Sequence, residues 1–241
     1  MPNFAYDLHL HSCLSPCGDE LMTPPNIVNM AALKGLSLIA ITDHNSTRNV
    51  RAAMQAAAQL PLTVIPGLEL CTSEEIHVVC LFPNADSAEA AGAYVEARLP
   101  PVANRPDIFG RQLILDAREN ILGEIEPLLI NATSISVDDA PAFAAEFGGF
   151  CFPAHIDKDS NSILATFGML PEHIPFGAIE VHRPKTFFAN PANADLQNRY
   201  RIVTSSDAHY LQDIAEAEHF LELQSPDFIS LKSFLACQHF C

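Results

Sequence analysis

Short apolar runs alternate with amphipathic stretches along most of this chain. "FAYDLHLH" reads as a strand, and "TPPNIVNMAALKGL" as a helix with Thr23 as N-cap, proline in the first turn and Gly35 near its end. "SLIAITDH" is a buried strand, followed by a helix over "STRNVRAAMQAAAQL". "LTVIPGLEL" and "EIHVVCLF" are strands, and "DSAEAAGAYVEARL" is a helix. Beyond residue 133 the pattern gives a helix over "SVDDAPAFAAEFGG", strands over "FCFPAHI", "GAIEVHR", "RIVTSSDAH" and "EHFLEL", and a closing helix over "SPDFISLKSFLACQ". Repeated β–α units of this kind predict parallel strands covered by helices, in a barrel or an open sheet.

One segment breaks the rhythm. Between residues 100 and 133, "RQLILD" and "GEIEPLLIN" flank the polar "ARENIL", which predicts an inserted β-hairpin. No linker, low-complexity tract or internal repeat interrupts the rest, so residues 1–241 are expected to form one domain with one insertion.

The chemistry lies at the C-terminal ends of the predicted strands. His9 and His11 end the first, Asp43 and His44 the second. Glu69 ends the third, His77 lies in the next, His155 ends "CFPAH", and Asp207 and His209 end "VTSSDAH". In parallel β/α folds that edge is where active sites form. Residues i and i+2 of a strand share a face, so His9 can converge with His11, and Asp207 with His209. A lone buried histidine is more often a hydrogen-bonded core residue than a ligand. Six histidines and two carboxylates, all at strand ends, would be costly to leave unpaired together, and metal coordination accounts for them.

Composition narrows the picture. Hydrophobic residues make up 49% of 241, enough for a substantial core. The net charge of -16 repels phosphate backbones and anionic lipid, so non-specific nucleic-acid or membrane binding is not expected. An anionic substrate then needs local positive charge, from metal ions or a few Lys and Arg. No apolar run reaches membrane-spanning length and the N-terminus lacks a secretory pattern. Seven cysteines without framework spacing read as reduced thiols in the cytoplasm. Oligomeric state is not legible.

Taken together, "DLHLHS", "ITDHN", "GLEL" with "EIHVVCLF", "PAHI" and "SSDAH" resemble, in order, the motifs of the PHP (polymerase and histidinol phosphatase) family. The resemblance implies an α/β fold, a distorted (β/α)7 TIM-like barrel here carrying the inserted hairpin. It implies a phosphoesterase with two or three divalent transition metal ions, acting on a small phosphorylated metabolite or short nucleotide. By the same resemblance His9, His11, Glu69 and Asp207 would hold a first metal. Glu69, His77 and His155 would hold a second, and His44 and His209 a third, with one more ligand from the loop after His11. Glu69, Asp207 and His209 would be catalytic, and Asp7 and Asp43 would orient neighbouring histidines. Mixed nitrogen and oxygen ligands suit Mn, Fe or Zn. A hydroxide activated by the metals would attack phosphorus in line.

Positive groups near the strand ends include Lys158, Arg183, His182 and Lys185, with Arg111 in the insertion. Lys158 and Arg183 are the candidate phosphate contacts. His173, His219 and His239 fall outside the motifs and read as ordinary surface or packing residues. In the loop after His11, "SCLSPCGDE", family members commonly place a histidine or aspartate. Here Cys17 is the candidate metal ligand, with Asp19 as fallback and a plain buried thiol as the alternative. Two rivals stand beside the phosphoesterase: an amidohydrolase-like metal hydrolase, for which no carboxylated-lysine candidate is found, and a non-catalytic metal-binding module supporting a partner.

Overall fold

Three strands build the part of the fold that the sequence pattern describes best. In the computed structural model, which describes residues 1–236, β1 (Asn3–Leu10), β2 (Leu38–Ile41) and β3 (Thr63–Cys71) lie parallel, joined by helices α1 (Pro24–Leu33) and α2 (Val50–Ala57). The Thr23 hydroxyl accepts from the Asn26 amide at 3.3 Å and caps α1. His239 and the last residues of the predicted C-terminal helix lie outside the described residues.

The sheet then departs from a parallel repeat. β4 (His77–Leu81) runs antiparallel to β3, because a tight turn at Thr72–Ile76 joins them and leaves no room for a crossover helix. After helix α3 (Ala85–Glu96) come the hairpin strands β5 (Leu113–Leu115) and β6 (Ile121–Glu124), which among the described residues form a two-stranded sheet of their own. The second hairpin strand thus starts earlier than "GEIEPLLIN" suggests. β7 (Phe150–Pro153) returns antiparallel to β4. β8 (Ala178–Glu180) and β9 (Arg201–Val203) form a parallel pair, and β10 (Phe220–Glu222) adds antiparallel to β1. The fold is therefore mixed α/β with a curled sheet ordered β10-β1-β2-β3-β4-β7, and the regular (β/α)7 repeat is not reproduced. Single backbone links tie β8–β9 to its neighbours: the Ile156 amide donates to the Glu180 carbonyl, and Leu10 bridges Ala208.

Alternation along the strands divides the core. Leu38 and Ala40 of β2 join Ile65, Val79 and Phe152 on the inner face, while Ile39 and Ile41 pack outward with Ile27, Val28 and Ala53 of the helices. β1 starts with the same logic, Tyr6 and Leu8 inward and Ala5 outward. Its pairing with β2 then shifts register between Asp7 and Leu10, after which Leu10 belongs to the outer cluster. An irregularity of this sort re-aims side chains, and here it turns His9 and His11 toward the inner face.

Candidate metal centre

Glu69, fully buried at the end of β3, is the hub of the strand ends. His77 Nδ1 and His44 Nδ1 each lie 2.8 Å from its carboxylate, His9 Nε2 and His155 Nε2 lie at 3.2 Å, and His11 Nε2 at 3.5 Å. Asp207 Oδ1 sits 3.0 Å from His11 Nε2 and 3.4 Å from His9 Nε2. Among the described residues, three groups present atoms close enough to share an ion: His9, His11, Glu69 and Asp207; His44, Glu69 and His77; and His11, His44 and His209.

Some contacts inside this cluster are not ordinary hydrogen bonds. His44 Nδ1 and Glu69 Oε2 are 2.8 Å apart, yet among the described residues neither has a hydrogen-bond partner, and Asp207 Oδ1 is equally unpartnered. Buried polar atoms left without partners are costly. Lone pairs that crowd a common point without bonding one another fit a divalent cation, and the nitrogen and oxygen donor set suits Mn, Fe or Zn.

The same crowding shifts the proton affinity of these groups. Burial alone would raise the Glu69 pKa, but the surrounding imidazoles of His77, His9 and His44 hold it well below the ordinary carboxylate range. Burial would lower His9, but Glu180, Glu69 and Asp207 raise it well above its usual value. His77, largely but not fully buried, is lifted from 6.5 to about 10 by Glu69 against the effect of burial. His11 goes the other way, pushed down by burial and by His209 and His44 beside it.

Two hydrogen-bond chains fix ring orientation. Asp43 accepts from the Ser12 amide, the Ser12 hydroxyl and the Ser15 hydroxyl, each at 2.7 Å. The Ser15 proton is thereby committed, so its oxygen accepts from the His44 amide and from His11 Nδ1 at 2.9 Å. His11 must carry its proton on Nδ1, which leaves Nε2 as the free lone pair. Glu180 does the same for His9: its Oε2 accepts from His9 Nδ1 at 2.9 Å and from the His155 amide at 2.9 Å. Glu180 is buried and was missed in the sequence; the signal was a carboxylate inside the apolar run "GAIEV".

The remaining sequence candidates divide. Asp43 orients His11 through Ser15. Asp7 does not reach a histidine ring by hydrogen bond; it accepts from the Ser206 amide and hydroxyl and the Ala215 amide, holding the segment that carries Asp207. His155 (φ 27°) and Asp207 (φ 53°) occupy the left-handed region, a strained backbone that turns both side chains toward Glu69. Lys158, partly buried, pairs with Asp207 Oδ2 at the edge of the cluster. Arg183 stays at the surface, where its amide donates to Asp157, and Arg111 is paired with Glu124 at 2.6 Å.

Cys17 is not gathered with the histidines. It is exposed, sits at φ 71°, and its amide donates to the Phe109 carbonyl. Asp19 is likewise outside the three groups, its carboxylate accepting from the Leu21 amide. The third position of the His44 and His209 group is taken by His11; the loop stays close, its Asp19 amide donating to the His209 carbonyl at 2.9 Å, but leaves Cys17 exposed. The second group contains His44 beside Glu69 and His77; His155 Nε2 approaches the same Glu69 oxygen, Oε1, as His77 Nδ1, while His44 faces Oε2. Asp207 also walls a cleft of about 480 Å³ bounded by Ser206, His182, Asp213, Glu218 and His219.

The PHP domain model matches residues 7–136, over half of the chain, and the chain belongs to the PHP domain family. It is 40% identical over 91 residues to the 5'-3' exoribonuclease Rnm of Salmonella typhimurium, a match covering 36% of this chain and 29% of that protein. It is 36% identical over 90 residues to the 3',5'-nucleoside bisphosphate phosphatase of Chromobacterium violaceum, covering 36% of this chain and 30% of the relative. The matches thus span under a third of these relatives' length. In fold it is similar to the lesion-specific endonuclease PfuEndoQ of Pyrococcus furiosus (TM-score 0.65, 17% identity, 96% of this chain and 55% of that one). It is also similar to an amidohydrolase of Chromobacterium violaceum (TM-score 0.58, 20% identity, 92% and 93%).

These relatives correct one expectation. A net charge of -16 suggests a protein that avoids nucleic acid, yet a relative matched through this family is named for cleaving RNA and a similar fold belongs to an endonuclease. Net charge sums the whole surface, whereas a metal cluster with a few cations sets the potential where a phosphate binds. No helix among the described residues is long and apolar enough to cross a membrane.

Proposed function

We propose that this chain is a metal-dependent phosphoesterase that hydrolyses a small phosphate ester, either a phosphorylated metabolite or a short nucleotide. The observation that carries the reading is the Glu69 hub, where five imidazoles and Asp207 converge with unpartnered donor atoms. His9, His11, Glu69 and Asp207 hold one ion, His44, Glu69 and His77 a second with His155 beside them, and His11, His44 and His209 a third. Bound Mn, Fe or Zn supplies Lewis-acid charge and acidifies water.

The chain's own residues do the rest. Glu69, Asp207 and His209 set the charge and spacing of the reacting centre. Glu180 and the Asp43–Ser15 pair hold the Nδ1 protons of His9 and His11, so that Nε2 of each neutral ring is the atom offered to an ion. Lys158, released from Asp207, grips a phosphoryl oxygen, and Arg183 offers a second cation from the surface. The cleft beside Asp207 takes the alcohol side of the ester. The motifs, spread from residue 7 to 209 over a distorted barrel, support one catalytic unit over residues 1–241 with a hairpin insertion, and the cysteine pattern supports a cytoplasmic setting.

The test is turnover of metal-loaded protein, prepared anaerobically with Mn, Fe or Zn, on a panel of monoesters, cyclic and linear diesters and short oligonucleotides. Glu69→Ala and Asp207→Asn are expected to abolish turnover, and Lys158→Ala to weaken it by a contact of about 1–3 kcal/mol. Asparagine tolerates the left-handed backbone, so Asp207→Asn tests charge rather than fold. Near-wild-type rates after either carboxylate change, or cleavage of amides in place of phosphate esters, would overturn the reading.

A further inference from the structure

Asn49 precedes helix α2 in the N-cap position, where an asparagine ordinarily caps the helix, yet its side chain makes no capping bond. It is fully buried and directs its amide elsewhere. Nδ2 donates to the Leu113 carbonyl at 3.0 Å and to the Ser12 hydroxyl at 2.9 Å, and Oδ1 accepts from the Leu115 amide at 2.9 Å. Leu113 and Leu115 are the two ends of β5 in the inserted hairpin. Ser12 donates to Asp43, Asp43 accepts from Ser15, and Ser15 accepts from His11 Nδ1. A buried hydrogen-bond chain therefore runs from the hairpin to a ring of the candidate metal centre.

The chemistry of the position is specific. The carbonyl oxygen must face an N–H and the amino group a C=O, so the orientation of the amide is set by its partners. Aspartate has the same shape but would bring an oxygen against the Leu113 carbonyl and lose the donor to Ser12. The inserted segment has further anchors on the same loop, since the Leu113 amide donates to the Cys13 carbonyl and the Cys17 amide to the Phe109 carbonyl, just before the hairpin. Asn49 is the side chain that reads both the hairpin and the Ser12–Asp43 pair.

We propose that Asn49 is a positioning residue that couples the inserted hairpin to metal occupancy at His11, so that ordering the hairpin and loading the ion favour each other. Such coupling is reciprocal: what a loaded ion does for the hairpin, a seated hairpin does for ion affinity. The inference rests on the metal-centre part of the proposed function and not on the identity of the substrate.

Two measurements test it without a substrate. Hydrogen exchange on the wild-type chain, with and without Mn²⁺ or Zn²⁺, is expected to show slower exchange at the Leu113 and Leu115 amides when metal is added. Calorimetric titration of Asn49→Asp with the same ions is expected to show affinity lowered by about tenfold, the low end of what outer partners of metal-bound histidines cost. The hairpin of that variant should gain no protection from metal. Unchanged exchange in the wild type on metal binding, or unchanged affinity in a folded Asn49→Asp, would overturn the coupling. A chain that shows the coupling but hydrolyses no phosphate ester would refute the proposed activity and leave this inference standing.

Discussion

At the scale of single residues, the candidate centre depends on which ring nitrogen carries a proton. Glu180 accepts from His9 Nδ1, which keeps Nε2 available. Glu180→Gln preserves size but removes the charge that holds that proton, and metal affinity is expected to fall about 10- to 100-fold by titration calorimetry. The same groups make the metal-free chain sensitive to pH. The pKa of His77 is raised from 6.5 to about 10 by its carboxylate neighbour, against the effect of burial. Its contribution to stability is therefore complete below 6.5 and is lost as pH rises through about 10. Metal binding requires neutral imidazole, so loading displaces that proton and removes the dependence. Thermal melts of chelator-treated protein should decline between pH 7 and about 10, while metal-replete protein should be nearly flat over that window. Parallel curves would contradict the assignment of His77.

At the scale of elements, the loop after β1 carries much of the design. Ser12 and Ser15 hold Asp43 and His11, and the chain then turns back on itself at Gly18. A Cβ on Gly18 would lie 2.7 Å from the Ser12 carbonyl oxygen and 3.0 Å from that of Ser15. Both are backbone atoms in the same turn and have little freedom to yield. Gly18→Ala is expected to destabilise the fold by about 1–3 kcal/mol in urea denaturation, as overpacking does elsewhere. Because the displaced carbonyls belong to the residues that orient His11, metal affinity should fall with it. A stable variant with intact metal binding would show that the loop has slack the structure does not reveal.

At the scale of the whole molecule, the strand ends bring together a store of buried, mutually repelling or unpartnered groups that an ion would satisfy. Metal loading at a thousandfold excess over Kd is expected to stabilise the chain by about 4 kcal/mol per site, and a chelator should reverse it. Scanning calorimetry of apo and loaded protein reads this directly. A melting temperature indifferent to Mn, Fe and Zn would count against the cluster as a metal centre, whatever the sequence resembles.

The sequence by itself determined where the candidate centre would lie. Its 3.6- and 2-residue periodicities mark most of the larger elements, and its polar residues at strand ends, His9, His11, His44, Glu69, His77, His155, Asp207 and His209, are those the fold gathers. Those signals are local, so they survive without knowledge of the fold. Tertiary structure decided what depends on who sits opposite whom. The short β3–β4 turn forces antiparallel pairing where repetition suggested parallel strands. An irregularity in β1 swings His9 and His11 inward. Glu180 acquires its place only because β8 lies beside His9, some 170 positions earlier in the chain. Cys17, so suggestive in the line of the sequence, is left exposed where its loop meets the inserted segment at Phe109. Asn49, an ordinary helix cap by its position, spends its hydrogen bonds on a segment more than sixty residues away. Contacts between residues so distant in sequence leave no periodic trace, and only the packed fold assigns them.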